Sequence, residues 1–186
     1  METIDIFDLI ERMAALIRSE ERKKCTELGL QPVHFQALDY LSRCNRYSDT
    51  PAALTNYLGM TRGTVSQSLL LLVKKGYIEK IPDTKDRRVV HLHLLPKGRE
   101  VLQQAWPGEL FERASAMLNQ ADRVIHKEAF VEALTALQKA NKSYSFGLCK
   151  TCKFFTTQTD GFVCGLTHER LTQVDSEKIC QEHSLE

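Results

Sequence analysis

"TPAALTNYLGMTRGTVSQSLLLLVKKGYIEKIPDTKDRRVVHLHLLPKGRE", Thr50 to Glu100, is the stretch whose reading decides the fold. Thr50 followed by Pro51 suits a helix start, and Gly59 suits its end. Thr61 is the next capping residue, opening "RGTVSQSLLLLVKK", which Gly76 stops. Two helices joined only by Gly59 to Thr61 predict a helix-turn-helix. Beyond them "YIEKI" and "VVHLHLL" flank the turn-forming "PDTKDRR". In the second run Val90, Leu92 and Leu94 alternate with Val89, His91 and His93, as a half-buried strand requires. Two short strands with a basic tip predict a β-wing.

Outward from this unit the pattern is helical. Ile6, Leu9, Ile10, Met13, Leu16 and Ile17 recur at helical spacing, predicting a long amphipathic helix from Asp5 to Leu28 that Gly29 ends. "QPVHFQALDYL" begins another, with Pro32 in its first turn. Lys97 to Ala140 returns to helix, broken at Trp106-Pro107-Gly108, with a new start between Asn119 and Asp122. "NKSYSFG", Asn141 to Gly147, is small and polar and reads as a linker. The expected organisation is therefore a winged helix domain over 1–140, a linker over 141–147 and a cysteine-rich module over 148–186. The expected fold class is mainly α with a small β-wing, a winged helix-turn-helix flanked by N- and C-terminal helices.

At 42% hydrophobic and 26% charged, the composition is that of an ordinary soluble globular chain. No apolar run approaches the roughly 20 residues that span a bilayer, and "METIDIFDLIERM" lacks the basic start of a secretory signal, so no membrane partner and a cytoplasmic location are expected. In a reducing compartment six cysteines point to metal instead of disulfides. The net charge of +1 conceals segregation. Met60 to Arg99 holds nine Lys or Arg against three acids, while Gly147 to Glu186 holds four against six. The basic block is a candidate polyanion footprint. No Ser/His/Asp, paired-carboxylate or phosphate-loop pattern is present, and an enzyme is not expected.

A helix that reads the major groove presents short polar or basic side chains near its N-terminus. Thr61, Arg62, Thr64, Ser66 and Gln67 fall there, and Lys85, Arg87 and Arg88 crowd the wing tip, where a long cation could enter a minor groove. The order helix, glycine turn, T-R-G-T-V-S, K-K-G-Y-I, D-x-R and K-G resembles the winged helix-turn-helix of MarR-type regulators over about Asp5 to Ala140. The resemblance implies a homodimer built from the first helix and the two after the wing. It further implies a double-stranded, palindromic DNA operator, a repressor in most cases, a small-molecule effector, and Arg88 as the wing arginine. "LLPKG", Leu95 to Gly98, departs from the family's L-T-x-x-G, and Pro96 there can begin the next helix.

The tail reads C-x2-C-x11-C-x15-C-x2-H, through Cys149, Cys152, Cys164, Cys180 and His183. A C-x2-C turn lets two thiolates converge on one ion, and two distant ligands then close a fold too small to bury enough apolar surface alone. Zinc is the expected occupant, held by the four cysteines or by three with His183. An iron–sulfur cluster on the four cysteines, as in a redox or iron sensor, is the alternative. A reading of another class makes the module an adaptor that recruits a protein partner. Cys25 and Cys44 are read as small buried hydrophobes, His91 and His93 as wing-surface residues with no carboxylate near, and Trp106 as a packing residue.

Overall fold

The computed structural model describes residues 5–84, 86–118, 122–141, 144–159 and 161–185, the side chains of 122–126 aside. Lys85 and Asn119 lie outside these residues, as do Lys142 and Ser143 of the expected linker. The chain runs α1 (Ile6–Glu27), α2 (Pro32–Arg43), α3 (Pro51–Leu58), α4 (Arg62–Lys74), β1 (Ile78–Pro82), β2 (Val90–Leu94), α5 (Pro96–Ala105), α6 (Gly108–Met117) and α7 (Asp122–Ala140). After these come a single 3-10 turn (Cys149–Thr151), β3 (Phe155–Gln158), β4 (Gly161–Cys164), β5 (Arg170–Leu171) and the short α8 (Gln173–Ser176). No helix among the described residues is long and apolar enough to cross a membrane.

The caps act as their sequence implies. Asp5 closes a capping box with Asp8, and the Thr50 and Thr61 hydroxyls accept from the amides of Ala53 and Thr64. Gly59 ends α3 in the left-handed region at φ 62°, which sets the sharp turn into α4. In the wing β1 and β2 pair antiparallel, from Ile78 opposite Leu94 to Pro82 opposite Val90. Gly98 has a different reason to be glycine. A Cβ there would lie 2.2 Å from the Tyr77 carbonyl oxygen, so α5 can start against the wing only without a side chain.

One apolar core joins α1 to α5 with the wing: Phe35, Leu38, Tyr40, Leu54, Val65, Leu69, Leu72, Ile78 and Leu92 are all buried in it. Cys25 and Cys44 belong to the same cluster, and burial pushes their thiols up to about 11 and about 12. Both are packing residues, as expected. Trp106 caps one edge, its ring against Phe35 and Phe111 and nearly half exposed.

The tail does not stand apart. Ile179 is buried in the main core, and its backbone bridges Cys44 on one side and Leu148 on the other. The Ile179 amide donates to the Arg43 carbonyl at 2.9 Å, and the Asn45 amide donates to the Ile179 carbonyl at 2.8 Å. Phe146, in the segment read as a linker, packs edge-on against Tyr40 and Tyr57. The described part of that segment is thus anchored, an outcome its small polar composition hid.

Candidate DNA-reading surface and thiol site

α4 divides its residues by face. Val65, Ser68, Leu69 and Leu72 are buried, while Thr61, Arg62, Thr64, Ser66 and Gln67 are all exposed near its start. Thr61 is shared between capping and the surface, since its Oγ1 lies 3.0 Å from Thr64 Oγ1 while accepting the Thr64 amide. The helix N-terminus adds free amides and a positive dipole end, both of which favour a phosphate.

At the wing tip Arg87 and Arg88 are exposed. Arg88 forks onto Asp86, with Nε 2.9 Å from Oδ1 and Nη2 2.8 Å from Oδ2, and the Arg88 amide donates to the same carboxylate. This contact holds the Asp86 carboxyl below its usual range. The arginine is therefore pre-shaped, its direction fixed by a residue two positions earlier.

The root of the wing corrects the reading of His91 as a surface residue without carboxylates. His91 is half-buried, with Nδ1 2.5 Å from Asp49 Oδ1 and Nε2 3.2 Å from Asp83 Oδ2. His93 approaches the second Asp49 oxygen at 4.0 Å. Hydrogen bonding to Asp49, opposed by burial and reinforced by Asp83, raises the His91 pKa above its ordinary value. Nothing in the strand pattern could disclose Asp49, which sits 42 residues away on the loop before α3.

The four tail cysteines come together. Cys149, Cys152, Cys164 and Cys180 all line one small apolar cavity of about 30 Å³, closed by Phe154, Phe155, Leu166 and Leu171. As the sulfurs stand, no group of three or more His, Cys, Asp or Glu among the described residues is gathered as a metal would hold it. Hydrogen-bond donors reach two of the sulfurs. The Ser184 amide donates to Cys152 Sγ at 3.4 Å. Burial raises the Cys164 thiol, but donation from the Thr167 side chain and from the amides of Thr167 and Leu166 outweighs it, and the net shift is downward. Burial raises Cys180, opposed by its polar neighbours Asn45, Glu182 and Ser48. Burial first, then the other three sulfurs, pushes Cys149 up to about 11. Such crowding is relieved when a cation replaces the protons.

His183 is placed otherwise. Its Nδ1 lies 2.6 Å from Ser145 Oγ and its Nε2 2.8 Å from Thr151 Oγ1, so both ring nitrogens have hydroxyl partners. Burial lowers its pKa, keeping the ring neutral. A Cβ on Gly147 would sit 2.4 Å from this ring, so a glycine there is what lets the imidazole pack.

The MarR family model matches residues 28–89, which run from just after α1 through β1 to the start of β2. That segment is similar to a MarR-family winged helix. Among curated relatives of the MarR segment, the transcriptional repressor MprA of Escherichia coli (strain K12) is 30% identical over 99 residues, 53% of this chain and 56% of MprA. The multiple antibiotic resistance protein MarR of Salmonella typhimurium is 28% identical over 139 residues, 71% of this chain and 96% of that protein. The chain thus spans little more than half of some relatives and nearly all of others. Two solved structures share the MarR fold. The apo form of Escherichia coli MarR superposes with TM-score 0.57 at 22% identity, over 72% of this chain and 98% of that one. Streptococcus pneumoniae FabT in complex with DNA superposes with TM-score 0.57 at 23% identity, over 73% of this chain and 99% of FabT. MarR-family proteins are transcriptional regulators and not enzymes.

Proposed function

We propose that the chain is a sequence-specific DNA-binding transcription regulator, a homodimeric repressor on a two-fold operator, with one zinc ion held by its tail cysteines. The DNA reading is carried by the exposed row Thr61, Arg62, Thr64, Ser66 and Gln67 at the start of α4, beside the wing arginines. The relatives add weight, since MprA is a repressor by name and FabT is solved on DNA. Exposed apolar side chains support the dimer. Ile6, Phe7, Leu9, Met13 and Leu16 on α1, and Phe130, Leu134 and Leu137 on α7, are large, and water would leave them if a second copy covered them. Two recognition helices held about 34 Å apart would enter successive major grooves on one face of the duplex. An effector that alters that separation alters affinity.

The four thiols around a cavity of about 30 Å³ favour a single ion over a larger iron–sulfur cluster. Zinc with sulfur at about 2.3 Å is the usual tetrahedral occupant of four thiolates. Here the ion would neutralise the crowded sulfurs and hold the tail folded, with His183 serving as a hydrogen-bonded strut and not a ligand. Binding-site selection from a random duplex pool, followed by gel-shift titration at fixed salt, tests the regulator. Recovery of a two-fold motif is expected, and no enrichment would overturn it. Elemental analysis of anaerobically purified protein tests the ion, with one zinc per chain expected. Stoichiometric iron with visible absorbance would replace zinc by a cluster. A tail whose deletion leaves operator binding intact while abolishing capture of a protein partner would favour the adaptor.

A further inference from the structure

His91 sits at the root of the wing between two carboxylates, with Nδ1 2.5 Å from Asp49 Oδ1 and Nε2 3.2 Å from Asp83 Oδ2. An ionised carboxylate only accepts hydrogen bonds, and a neutral imidazole carries a single N–H. Both contacts are therefore made together only when the ring is an imidazolium. The groups around it come from several elements. Asp49 lies on the loop before α3 and Asp83 just past β1, while across the strand pair Ile81 is opposite His91 and Glu79 opposite His93. His93 approaches the second Asp49 oxygen at 4.0 Å. α2 and α3 also pack on β2. α3 has no charged residue, and on α2 Asp39 is paired with Arg43 while His34 accepts the Gln31 amide. The contact with Asp83 leads to the wing tip. The Asp83 amide donates to the Val89 carbonyl at 3.0 Å, and its Oδ1 accepts the Asp86 amide at 2.7 Å. Asp86 is in turn the residue onto which Arg88 forks. One carboxylate thus meets the ring with one oxygen and orders the holder of the wing arginine with the other.

We infer that His91 and Asp83 are positioning residues for Arg88, and that the wing is set for a duplex only while His91 carries both ring protons. This rests on the DNA reading above. With one proton lost the ring keeps a single donor, which the shorter contact with Asp49 retains, and the Asp83 oxygen then faces a lone pair. Asp83 moves off the ring, and the Asp86 amide and the fork of Arg88 move with it. Charge acts in the same direction. Losing the proton takes one positive charge from a cluster that holds the carboxylates of Asp49, Asp83 and Asp86, on the element that would meet phosphates. The duplex therefore selects the protonated ring, and by reciprocity it tightens the ring's hold on the proton. In the free protein the ring already titrates above its ordinary 6.5, first through its bond to Asp49. The gain in affinity is complete below that raised value and is lost as pH climbs through the still higher value of the complex.

The test uses the full-length protein and the duplex recovered by selection, in anisotropy titrations at fixed ionic strength from about pH 6 to about pH 8.5, the span that a raised imidazole crosses. Failure to bind a duplex at any pH would overturn the regulator and this inference with it, an outcome distinct from binding that does not change with pH. Affinity should fall about fivefold over the span, at the low end of ordinary coupling between sites. His91→Gln should bind at every pH as the unmodified protein does at the alkaline end. His93→Gln, which leaves both carboxylate contacts of His91 in place, should keep the fall and so exclude a general effect of histidines near DNA. Arg88→Ala should lose affinity and pH dependence together. Should His91→Gln fail to fold, Asp83→Asn takes its place and should be equally flat. An affinity constant with pH in the unmodified protein overturns the inference, as does the full fall persisting in His91→Gln, Asp83→Asn or Arg88→Ala.

Discussion

The head and the tail of this molecule reach order by different means. The head buries an apolar cluster drawn from α1 to α5 and both wing strands, with whole side chains such as Leu38, Leu54, Leu69 and Leu72 out of water. The tail's own buried set is Cys149, Leu171, Ser176 and His183, and Ile179 belongs to the head's core. At about 25 cal/mol per Å² of apolar surface, a segment with so few buried hydrophobes cannot offset the entropy of fixing its backbone. It is held by docking and by hydrogen bonds around His183, and the proposed ion on the thiols would add to these. A residue type matters in the head for its shape and in the tail for its chemistry.

The largest break in that contrast should come from a ligand change. If the tail holds the proposed zinc, Cys152→Ser would leave its coordination shell incomplete, and structural zinc is worth on the order of 10 kcal/mol to a small module. Bound metal should fall below half, and limited proteolysis should cut the tail while the dimer persists in size-exclusion chromatography. Full metal occupancy in both Cys152→Ser and Cys180→Ser would remove the shared site.

Steric changes separate the regions next. Gly98→Ala drives a Cβ into the Tyr77 carbonyl and Leu94, and should cost the head about 3 kcal/mol in thermal unfolding without loss of zinc. Gly147→Ala presses the His183 ring instead, and should loosen the tail by about 2 kcal/mol, read as faster proteolysis after Gly147 with the head's melting barely moved. If both variants lowered both readouts together, the two regions would be one cooperative unit.

Arg88→Ala should weaken duplex binding by about 1–3 kcal/mol with dimerisation intact, and unchanged affinity in a gel shift at fixed salt would discard the minor-groove role. The smallest effect concerns pH. His91 titrates above its ordinary 6.5, first through its bond to Asp49, so the folded head binds that proton more tightly than the unfolded chain. Its contribution is complete below about pH 6.5 and fades as pH rises through the raised folded value. Because the ring is partly solvated, the loss should stay below about 1 kcal/mol in denaturant melts. His91→Gln should flatten the profile.

What was legible in the sequence was whatever local chemistry specifies. Thr50, Gly59, Thr61 and Gly76 set the helix ends, and the alternation through Val90 to Leu94 set the wing, because caps and periodicity act over a few residues. The spacing of Cys149, Cys152, Cys164 and Cys180 suggested a shared site, and the four line one small cavity. The role of His183 was not. Its hydroxyl partners Ser145 and Thr151 lie 38 and 32 residues earlier. Asp49 under the wing and Ile179 in the head's core were equally hidden. Each is a pairing between distant segments, and no periodicity encodes a partner's address.

Ile179 also bears on how the chain folds. It meets Cys44 across an interval of 135 residues (179 minus 44), so the last strand-like pairing of the head closes one of the longest loops in the molecule. Loop closure costs only about 0.6 kcal/mol more for each doubling of length, but its rate suffers, since contacts of large sequence separation are found late. The helices and the wing can assemble from near neighbours in the chain. The seat for Ile179, beside Cys44 and Leu148, must wait. Until it is filled, a strip of apolar surface and the backbone of residues 43–45 face solvent, an edge on which a nascent copy could pair with the wrong chain.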